Sequence, residues 1–417
     1  MTMKLVAKAA VKQKKALNER KNFLNLKANI ALINKCLKIV FNKVTHLKKR
    51  IKRSFKGTDM IDGDIKLDKD SAANLVAFYK RNPQYLRLDN TKADTPAFSS
   101  SDRRKRKVGK VGKWSFPIEY KLQLSKKRRL VRKALKIWQQ ETCVSFRETG
   151  AITTPGIIFK ENEEWCWSNV GRKSSGYNEI NLENGCKSLG TILHEIGHAL
   201  GMWHEQSRPD RDNHITILED NIKSGKKHNF LVRPGDTYGT QYDYGSIMHY
   251  SERAFANKGQ KTIIAKQRDY EKTMGQRTGL SFNDIKAINF HYCQGSCFGG
   301  LTWSSYRNGG YRDPRSCGRC KCPEGWTGTY CQYLKKSTTG CGCTNRSAKS
   351  YYKYLNTPGY FRPEIYPTNS ECTWKITAPA GKRIRFEFVW YFILSCYTLC
   401  LDFVEVRYNS LSNTGPR

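Results

Sequence analysis

The hydrophobic pattern in the middle of the chain alternates between strand-like and helix-like stretches. Residues 116–122, 156–161 and 177–182 are short, with β-branched or alternating apolar residues, which predicts three strands, the last with the alternation of an edge strand. Two helices are predicted, one within 125–142 and one at Leu189–Gly201. The first of these has its apolar residues at helical spacing, namely Leu130, Val131, Ala134, Leu135 and Trp138.

The pattern changes on both sides of this region. Residues 1–100 are polar with weak helical periodicity, and a Gly- and Cys-rich lobe follows the second helix as far as Cys293. Residues 317–331 have the spacing of a compact disulfide knot, and 383–388 and 402–408 alternate like strands of an all-β sandwich. The fold class is therefore predicted to be α+β, with a two-lobed main domain followed by two smaller modules.

Cysteine content places these modules in an oxidising compartment. The chain has 417 residues, enough for about two to four units, and 15 cysteines, most of them in its second half. Dense cysteines are typical of secreted, disulfide-stapled modules. Lysines interrupt every candidate signal peptide at the N-terminus, so we expect that start to be incorrect or incomplete. No apolar run is long enough to predict a membrane span.

The formal net charge is +38, and Glu19 is the single acid among many lysines and arginines in the first fifty residues. A polyanion-binding protein is one interpretation. However, no zinc finger, RNP-type motif or Walker loop supports nucleic-acid binding. A basic, removable prosegment is favoured, because Arg103–Arg106 forms a multibasic site for a furin-like protease at a composition boundary. A solvated charge run is the alternative.

Candidate metal ligands lie on the second predicted helix. His194 and His198 are four residues apart, so both imidazoles project from one helix face. Glu195 is placed to take a proton from water and pass it to a leaving amine. Gly201 lets the helix stop and reverse, which brings His204 to the same ion as a third ligand. This spacing is far more specific than two histidines alone and predicts catalytic Zn²⁺.

A methionine turn is the second expected part of this site. The segment SIMHY contains Met248, which fits the apolar floor beneath the zinc site of metzincins. Ordinary core packing is the alternative for a methionine.

These motifs resemble the astacin metalloproteases, particularly nematode members with EGF-like and CUB modules. The resemblance rests on HEIGHALGMWHEQSRPDRD, SIMHY, GQR, LSFNDIKAINFHYC and the cysteine placement, and it extends over roughly 60–417. It implies four regions: a basic prosegment at 1–106, a zinc metalloprotease domain at 107–293, an EGF-like module at 297–331, and a CUB domain at 341–417 that is truncated at its C-terminus.

The resemblance also implies further roles. Tyr250 would be a displaceable zinc ligand that stabilises the oxyanion of the tetrahedral intermediate. Cleavage after Arg106 would make Lys107 the new N-terminus, and its ammonium would satisfy the carboxylate of Glu205, which is otherwise unsatisfied. Asp64, in MIDGDIKLD, would occupy the position of the catalytic water on zinc in the proenzyme.

Disulfide pairings follow from the same resemblance. They are Cys143 with Cys293, Cys166 with Cys186, Cys322 with Cys331 in the EGF-like module, and Cys343 or Cys341 with Cys372 in the CUB domain. The EGF-like region has five cysteines where six are needed, so one thiol is left over. Asn345 begins a glycosylation sequon.

The sequence therefore predicts a secreted zinc endopeptidase, made as a proenzyme and activated by a furin-like or other protease. Its expected substrates are extracellular proteins such as cuticle, collagen or eggshell components, with matrix or cuticle proteins bound through the EGF-like and CUB modules. No nucleic-acid partner is expected. The alternative is a catalytically silent adhesion or matrix-binding protein on the same scaffold.

Overall fold

The computed structural model describes residues 60–86, 88, 112–152, 155–183, 185–297, 307–338, 340–342, 344–356, 370–389, 403–408 and 413–417. The predictions for Arg106, Lys107 and Cys343 lie outside these residues. The chain divides into two units, one of 1–59 with Val76–Pro83 and one of Met60–Leu75 with Gln84–Arg417. The sites discussed below belong to the second unit. No helix among the described residues is long and apolar enough to cross a membrane.

The regular elements of the described residues are four helices and several short strands. The helices are α1 (Lys69–Arg81), α2 (Arg128–Glu141), α3 (Leu189–Ala199) and α4 (Phe282–Tyr292). The strands up to α4 are β1 (Ile118–Gln123), β2 (Phe146–Glu148), β3 (Ile157–Lys160), β4 (Cys166–Ser168), β5 (Asn178–Leu182), β6 (Ile215–Ile217) and β7 (Ile263–Ala265).

Five strands form the main sheet in the order β2-β1-β3-β5-β4. All neighbours are parallel except β4, which pairs antiparallel with β5 at the edge. The prediction that 177–182 is an edge strand is therefore wrong, because β5 lies between β3 and β4. Its burial pattern agrees with an internal position, since four of its five residues are buried.

Helices α2 and α3 pack against each other beside this sheet. The apolar stripe of α2 is buried at Val131, Ala134, Leu135 and Trp138, the i, i+3, i+4, i+7 pattern expected of an amphipathic helix. The Trp138 indole N–H donates to the Leu193 carbonyl oxygen on α3 at 3.2 Å. The core that holds α3 in place is thus built from residues that the hydrophobic pattern identifies.

The lobe after α3 has few regular elements and closes on α4. Its only strands among the described residues are the antiparallel pair β6 and β7. Helix α4 begins with a capping box between Ser281 and Asp284, which satisfies backbone N–H groups of its first turn. A disulfide joins Cys293, directly after α4, to Cys143, two residues after the end of α2. Cys166 on β4 is bonded to Cys186.

Beyond Cys293 the described residues form small strand pairs. The strands are β8 (Tyr311–Asp313), β9 (Ser316–Lys321), β10 (Trp326–Thr327), β11 (Tyr333–Leu334), β12 (Asn345–Ser347) and β13 (Lys375–Thr377). They pair as β8/β9, β10/β11 and β12/β13.

The cysteines of this region are mostly paired. The disulfides are Cys297–Cys317, Cys322–Cys331 and Cys341–Cys372, and Cys320 is a free thiol. Of the two alternatives for Cys372, the structure has Cys341, so the pairing of Cys343 with Cys372 is wrong.

Two strand predictions in the C-terminal region are also wrong. Residues 383–388 and 403–408 are not in strands, and 383–388 is exposed throughout. An alternating segment becomes a strand when a ladder partner and a second layer cover it. The described residues around 383–388 supply neither a ladder partner nor a covering layer. Among the described residues of 341–417, β12 and β13 are therefore the only strands of the expected sandwich.

Candidate metal centre

Three histidines converge at the end of α3. His194 and His198 lie one turn apart on the helix, and their Nε2 atoms are 3.1 Å apart. The helix ends at Ala199, and Gly201, with φ of +102°, turns the chain back. This reversal brings the Nε2 atom of His204 to 3.4 Å from that of His194. All three rings are buried.

The fourth group at this position is the carboxylate of Asp64. Its Oδ2 atom is 3.1 Å from Nε2 of both His194 and His204, and its Oδ1 atom is 3.6 Å from Nε2 of His198. One ligand atom from each of these four residues lies within 4.8 Å of every other. Three imidazoles and a carboxylate oxygen are a donor set that zinc binds in proteins.

The hydrogen bonds of the rings show that a cation fits here. Nδ1 of His194 is 2.8 Å from the Ile247 carbonyl oxygen, and Nδ1 of His198 is 2.8 Å from that of Met202. A carbonyl only accepts, so both Nδ1 atoms carry the proton. Burial, followed by the charge of Arg277, lowers the pKa of His194 to about 3, and burial lowers that of His198. The two Nε2 atoms therefore carry no proton, and their lone pairs face each other. A cation bound between them removes the repulsion of these lone pairs.

His204 differs from the other two rings. Burial lowers the pKa of His204, but the negative charge and the hydrogen bond of Asp64, together with the nearby carboxylate of Asp62, raise it overall. Its Nδ1 atom is 3.9 Å from the carboxylate of Asp62.

Glu195 is buried beside the histidines. It is 1% exposed, and its Oε2 atom has no hydrogen-bond partner among the described residues. Burial, and next the negative charge of Asp64, raise the pKa of Glu195 well above its ordinary value. A carboxyl with a raised pKa is suited to receive and return a proton.

Met248 lies below the helix that carries the ligands. A Cβ on Gly197 would lie 3.0 Å from the Met248 sulphur, so the glycine permits this close approach. The Met248 carbonyl accepts from the Glu205 N–H at 3.0 Å, which ties the methionine turn to the segment after His204.

Tyr250 packs against the third histidine. Its ring centroid is 4.5 Å from that of His204, and its hydroxyl donates to the main-chain carbonyl oxygen of Asp62. Burial, followed by the charges of Asp62 and Asp64, raises the pKa of Tyr250 well above its ordinary value, so the phenol keeps its proton.

Glu205 already has a cationic partner in this structure. It is fully buried, and its Oε1 atom accepts from the Arg208 guanidinium at 3.0 Å and from the Asp243 N–H at 2.9 Å. Arg208 therefore already pairs with one oxygen of this carboxylate, so the carboxylate does not depend on a new N-terminal ammonium alone, while the pairing with that ammonium stays a prediction. The predicted source of that ammonium, Lys107, lies outside the described residues.

A loop from far upstream delivers Asp64 to the histidines. This upstream loop, Met60–Lys66, is closed by hydrogen bonds between Ile61 and Ile65, each 3.0 Å long. It lies along the edge strand β4, where Ser168 donates to the Asp64 carbonyl oxygen at 2.9 Å and accepts from the Lys66 N–H at 3.0 Å. The bridge between Ile65 and Ser168 is parallel. The outer strand of the main sheet, β4, is thus the surface on which the loop lies.

The structure brings two further residues into this site that the sequence patterns do not identify. The carboxylate of Asp62 forms a buried ion pair with Arg233, with 2.8 Å between Oδ2 and Nε. Burial raises the pKa of Asp62, but Arg233 lowers it below its ordinary value. No motif indicates this pair, because a lone arginine and an acid 171 residues apart leave no local signal.

Comparisons with known proteins agree with this geometry. Residues 107–293 match the astacin peptidase family, and residues 341–415 match the CUB domain. The chain is 36% identical over 379 residues to zinc metalloproteinase nas-36 of Brugia malayi, covering 86% of this chain and 63% of that protein. It is 40% identical over 302 residues to zinc metalloproteinase dpy-31 of Caenorhabditis elegans, covering 70% of this chain and 50% of that protein.

One solved structure is also similar. High choriolytic enzyme 1, a hatching enzyme zinc-protease from Oryzias latipes, is 32% identical with a TM-score of 0.40, covering 44% of this chain and 93% of that chain. The chain spans between half and two thirds of the length of the two curated relatives named above. The predicted resemblance is confirmed, and with it the expectation of zinc at the histidines: residues 107–293 are a domain of the astacin peptidase family.

Proposed function

We propose that this chain is the latent proenzyme of a zinc-dependent endopeptidase. The observation that carries the proposal is the convergence of three buried imidazoles, with unprotonated Nε2 atoms on at least two of them, on the carboxylate of Asp64. Burying these four groups together has a large desolvation free energy unless a cation is bound to all of them. His194, His198 and His204 are the proposed zinc ligands, with Asp64 as the additional ligand in the latent form.

The residues around the ligands suit peptide hydrolysis. Zn²⁺ bound there would supply a Lewis acid toward water and toward a substrate carbonyl. Glu195 is the proposed general base, which accepts a proton from water and transfers it to the leaving amine. Tyr250 is the proposed donor to the developing oxyanion. Its contact in this structure supports the assignment, because its hydroxyl already donates to a main-chain carbonyl oxygen in the cleft.

Latency in this proposal comes from the upstream loop, which belongs to the prosegment 1–106. Asp64 takes the position that water needs, so the loop has to leave before Glu195 can act. Release would follow cleavage after Arg106 by a furin-like protease. Lys107 would then be the new N-terminus. Its ammonium would contact the carboxylate of Glu205 in addition to Arg208, which already donates to it.

The proposed setting is extracellular. The disulfides among the described residues support an oxidising compartment. The EGF-like region 297–331 and the CUB domain would hold the enzyme to matrix or cuticle proteins, with cuticle, collagen or eggshell proteins as substrates. Asn345 is exposed, which suits glycosylation.

Cleavage of gelatin or casein by the processed chain tests the enzymatic proposal. Glu195→Gln keeps the size of the side chain and removes the base, so activity is expected to fall by at least about a hundredfold. Zinc content measured on the same samples shows whether the ligand set is retained. Equal activity in both proteins would remove Glu195 from the mechanism, and no cleavage by a processed, zinc-loaded wild-type chain would favour the adhesion protein.

A further inference from the structure

We propose that the exposed face of helix α2 binds a sulfated glycosaminoglycan, which holds the protein on an anionic matrix and leaves its cleft open. The α2 basic face consists of Lys126, Arg128, Arg129, Arg132, Lys133 and Lys136. The inference goes beyond the proposed peptide hydrolysis and rests only on its extracellular setting, because binding at this face needs no turnover.

The α2 basic face has a single sign of charge. Every exposed residue from 126 to 136 is a lysine or an arginine, and the other residues of this stretch are half-buried or buried. The cations recur at helical spacing, so they lie together on the side opposite the buried stripe of Val131, Ala134 and Leu135. Arg128 and Lys136 are about 12 Å apart along the helix axis. A helix face that serves solubility alone usually carries both signs of charge.

Most of this positive charge is not compensated by nearby acids. Arg132 donates to both carboxylate oxygens of Glu148, at 2.8 and 2.7 Å, so its charge is balanced locally. Arg129 and the three lysines of the face form no ion pair with any residue that the structure describes. The acids next to the face, Glu161 and Glu141, pair with lysines outside it at 3.5 and 2.6 Å. The face is therefore open to an external anion.

This distribution of charge opposes the stability of the helix. Arg129 and Lys133 are four residues apart, as are Arg132 and Lys136, and like charges at this spacing repel each other. The first turn of α2 contains no acid, although the N-terminal end of a helix favours negative side chains. Folding alone does not explain cations that weaken their own helix. A bound polyanion would compensate both repulsions, so a ligand accounts for them.

The surroundings of the face favour a sulfated polysaccharide over other polyanions. The disulfides of the described residues support an oxidising compartment, where the matrix contains such polymers. Proteins that bind single-stranded nucleic acids stack the bases on exposed aromatic rings, and residues 126–136, all of them described, expose none. A helix that binds a lipid surface inserts its apolar side, whereas the apolar side of α2 is buried in the core.

The α2 basic face lies away from the metal centre. The buried side of α2 packs against α3, which carries His194 and His198, and the Trp138 indole N–H donates to the Leu193 carbonyl oxygen on that helix. The basic face is on the opposite side of α2. A polymer bound there therefore does not fill the cleft, and a substrate could enter while the protein stays attached.

Lysine acetylation of the full chain, with and without a heparin octasaccharide, tests where the polymer binds. Mass spectrometry reads each lysine separately, so binding by the basic residues 1–106 does not obscure the result. With the octasaccharide, Lys133 and Lys136 are expected to react at least about fivefold more slowly, because they contact its sulfates. Lys223 and Lys226 are exposed on another segment and serve as the internal control. Their rates should not change.

Calorimetric titration of the processed chain with the same octasaccharide tests what the face contributes. Replacing both Lys133 and Lys136 by glutamine should weaken binding about tenfold and lower the slope of log affinity against log salt concentration by about two. Replacing both Lys223 and Lys226 by glutamine changes the net charge equally and should leave the affinity unchanged. Both double variants should cleave gelatin like the wild type. The Lys133 and Lys136 variant should unfold at no lower denaturant concentration, because it loses only repulsive pairs.

The outcomes separate this inference from the proposed function. Unprotected Lys133 and Lys136, or equal weakening in the two double variants, would overturn the α2 basic face as a site and leave the protease proposal intact. Duplex DNA of the same charge that binds the processed chain at least as tightly as the octasaccharide would overturn the assignment to a glycosaminoglycan. A chain that shows the expected protection and affinities but cleaves nothing would support the face and overturn the protease proposal.

Discussion

Replacing Gly63 by alanine tests whether the upstream loop keeps the chain latent. Gly63 has φ of +82°, and a Cβ there would lie 2.4 Å from Cζ of Phe255. The left-handed backbone costs alanine about 1–2 kcal/mol. The overlap adds about 1–3 kcal/mol, the usual range for an overpacked site, because the Phe255 ring is held by Tyr250 and Phe230 at centroid distances of 5.6 and 6.0 Å.

Together these costs give about 2–5 kcal/mol against the docked loop, or about thirtyfold to a few thousandfold in the docking equilibrium. The assay is gelatin cleavage by full-length chains that carry Arg106→Gln and cannot be processed there. Gly63→Ala is expected to raise the activity at least about thirtyfold. Gly225→Ala is the matched control, because Gly225 has φ of +77° and nothing within 4 Å of an added Cβ. A Gly63→Ala chain that folds normally and stays as inactive as its parent would refute the reasoning.

Three further predictions concern the oxyanion donor, a disulfide and a buried lysine. Tyr250→Phe removes one donor to the oxyanion, so kcat of the processed chain should fall by about a hundredfold, while an unchanged kcat would exclude that role. Replacing both Cys143 and Cys293 by alanine opens a loop of 150 residues, which should lower the free energy of unfolding in denaturant by about 5 kcal/mol; no loss would contradict it. Burial lowers the pKa of Lys286 to about 7, so between about pH 7 and 10 the unfolded chain binds a proton that the folded chain releases. Lys286 should therefore contribute a rise in the free energy of unfolding of up to about 1.4 kcal/mol per pH unit in this range, and the difference in slope between the wild-type chain and Lys286→Met should show that contribution.

The metal ligands were predictable because their geometry is local. A helix fixes the relation between His194 and His198, and Gly201 with its positive φ fixes where His204 returns. A motif of the same kind predicts the position of Met248 close to Gly197 of the helix. Helix α2 was predictable for a similar reason, since its apolar spacing defines the buried face. Helix α3 is buried almost all round, so its histidine motif and not its apolar spacing indicated it.

Long-range contacts were not predictable in this way. The alternation in 177–182 indicates which side chains are buried but not which strands lie beside it, so it wrongly predicts an edge position for β5. Glu205 directly follows a ligand, yet its partners Arg208 and Asp243 come from a turn and from a distant segment. The ion pair of Asp62 with Arg233 depends wholly on how the upstream loop lies in the cleft.

The zinc content of the full-length, unprocessed chain tests the central claim most directly. Inductively coupled plasma mass spectrometry of the folded wild-type chain should find a single zinc ion per molecule, and His198→Ala, which removes one of the converging Nε2 atoms, should abolish or strongly reduce it. A folded wild-type chain that contains no zinc after purification in zinc-supplemented buffer, or a His198→Ala chain that retains it fully, would contradict the account.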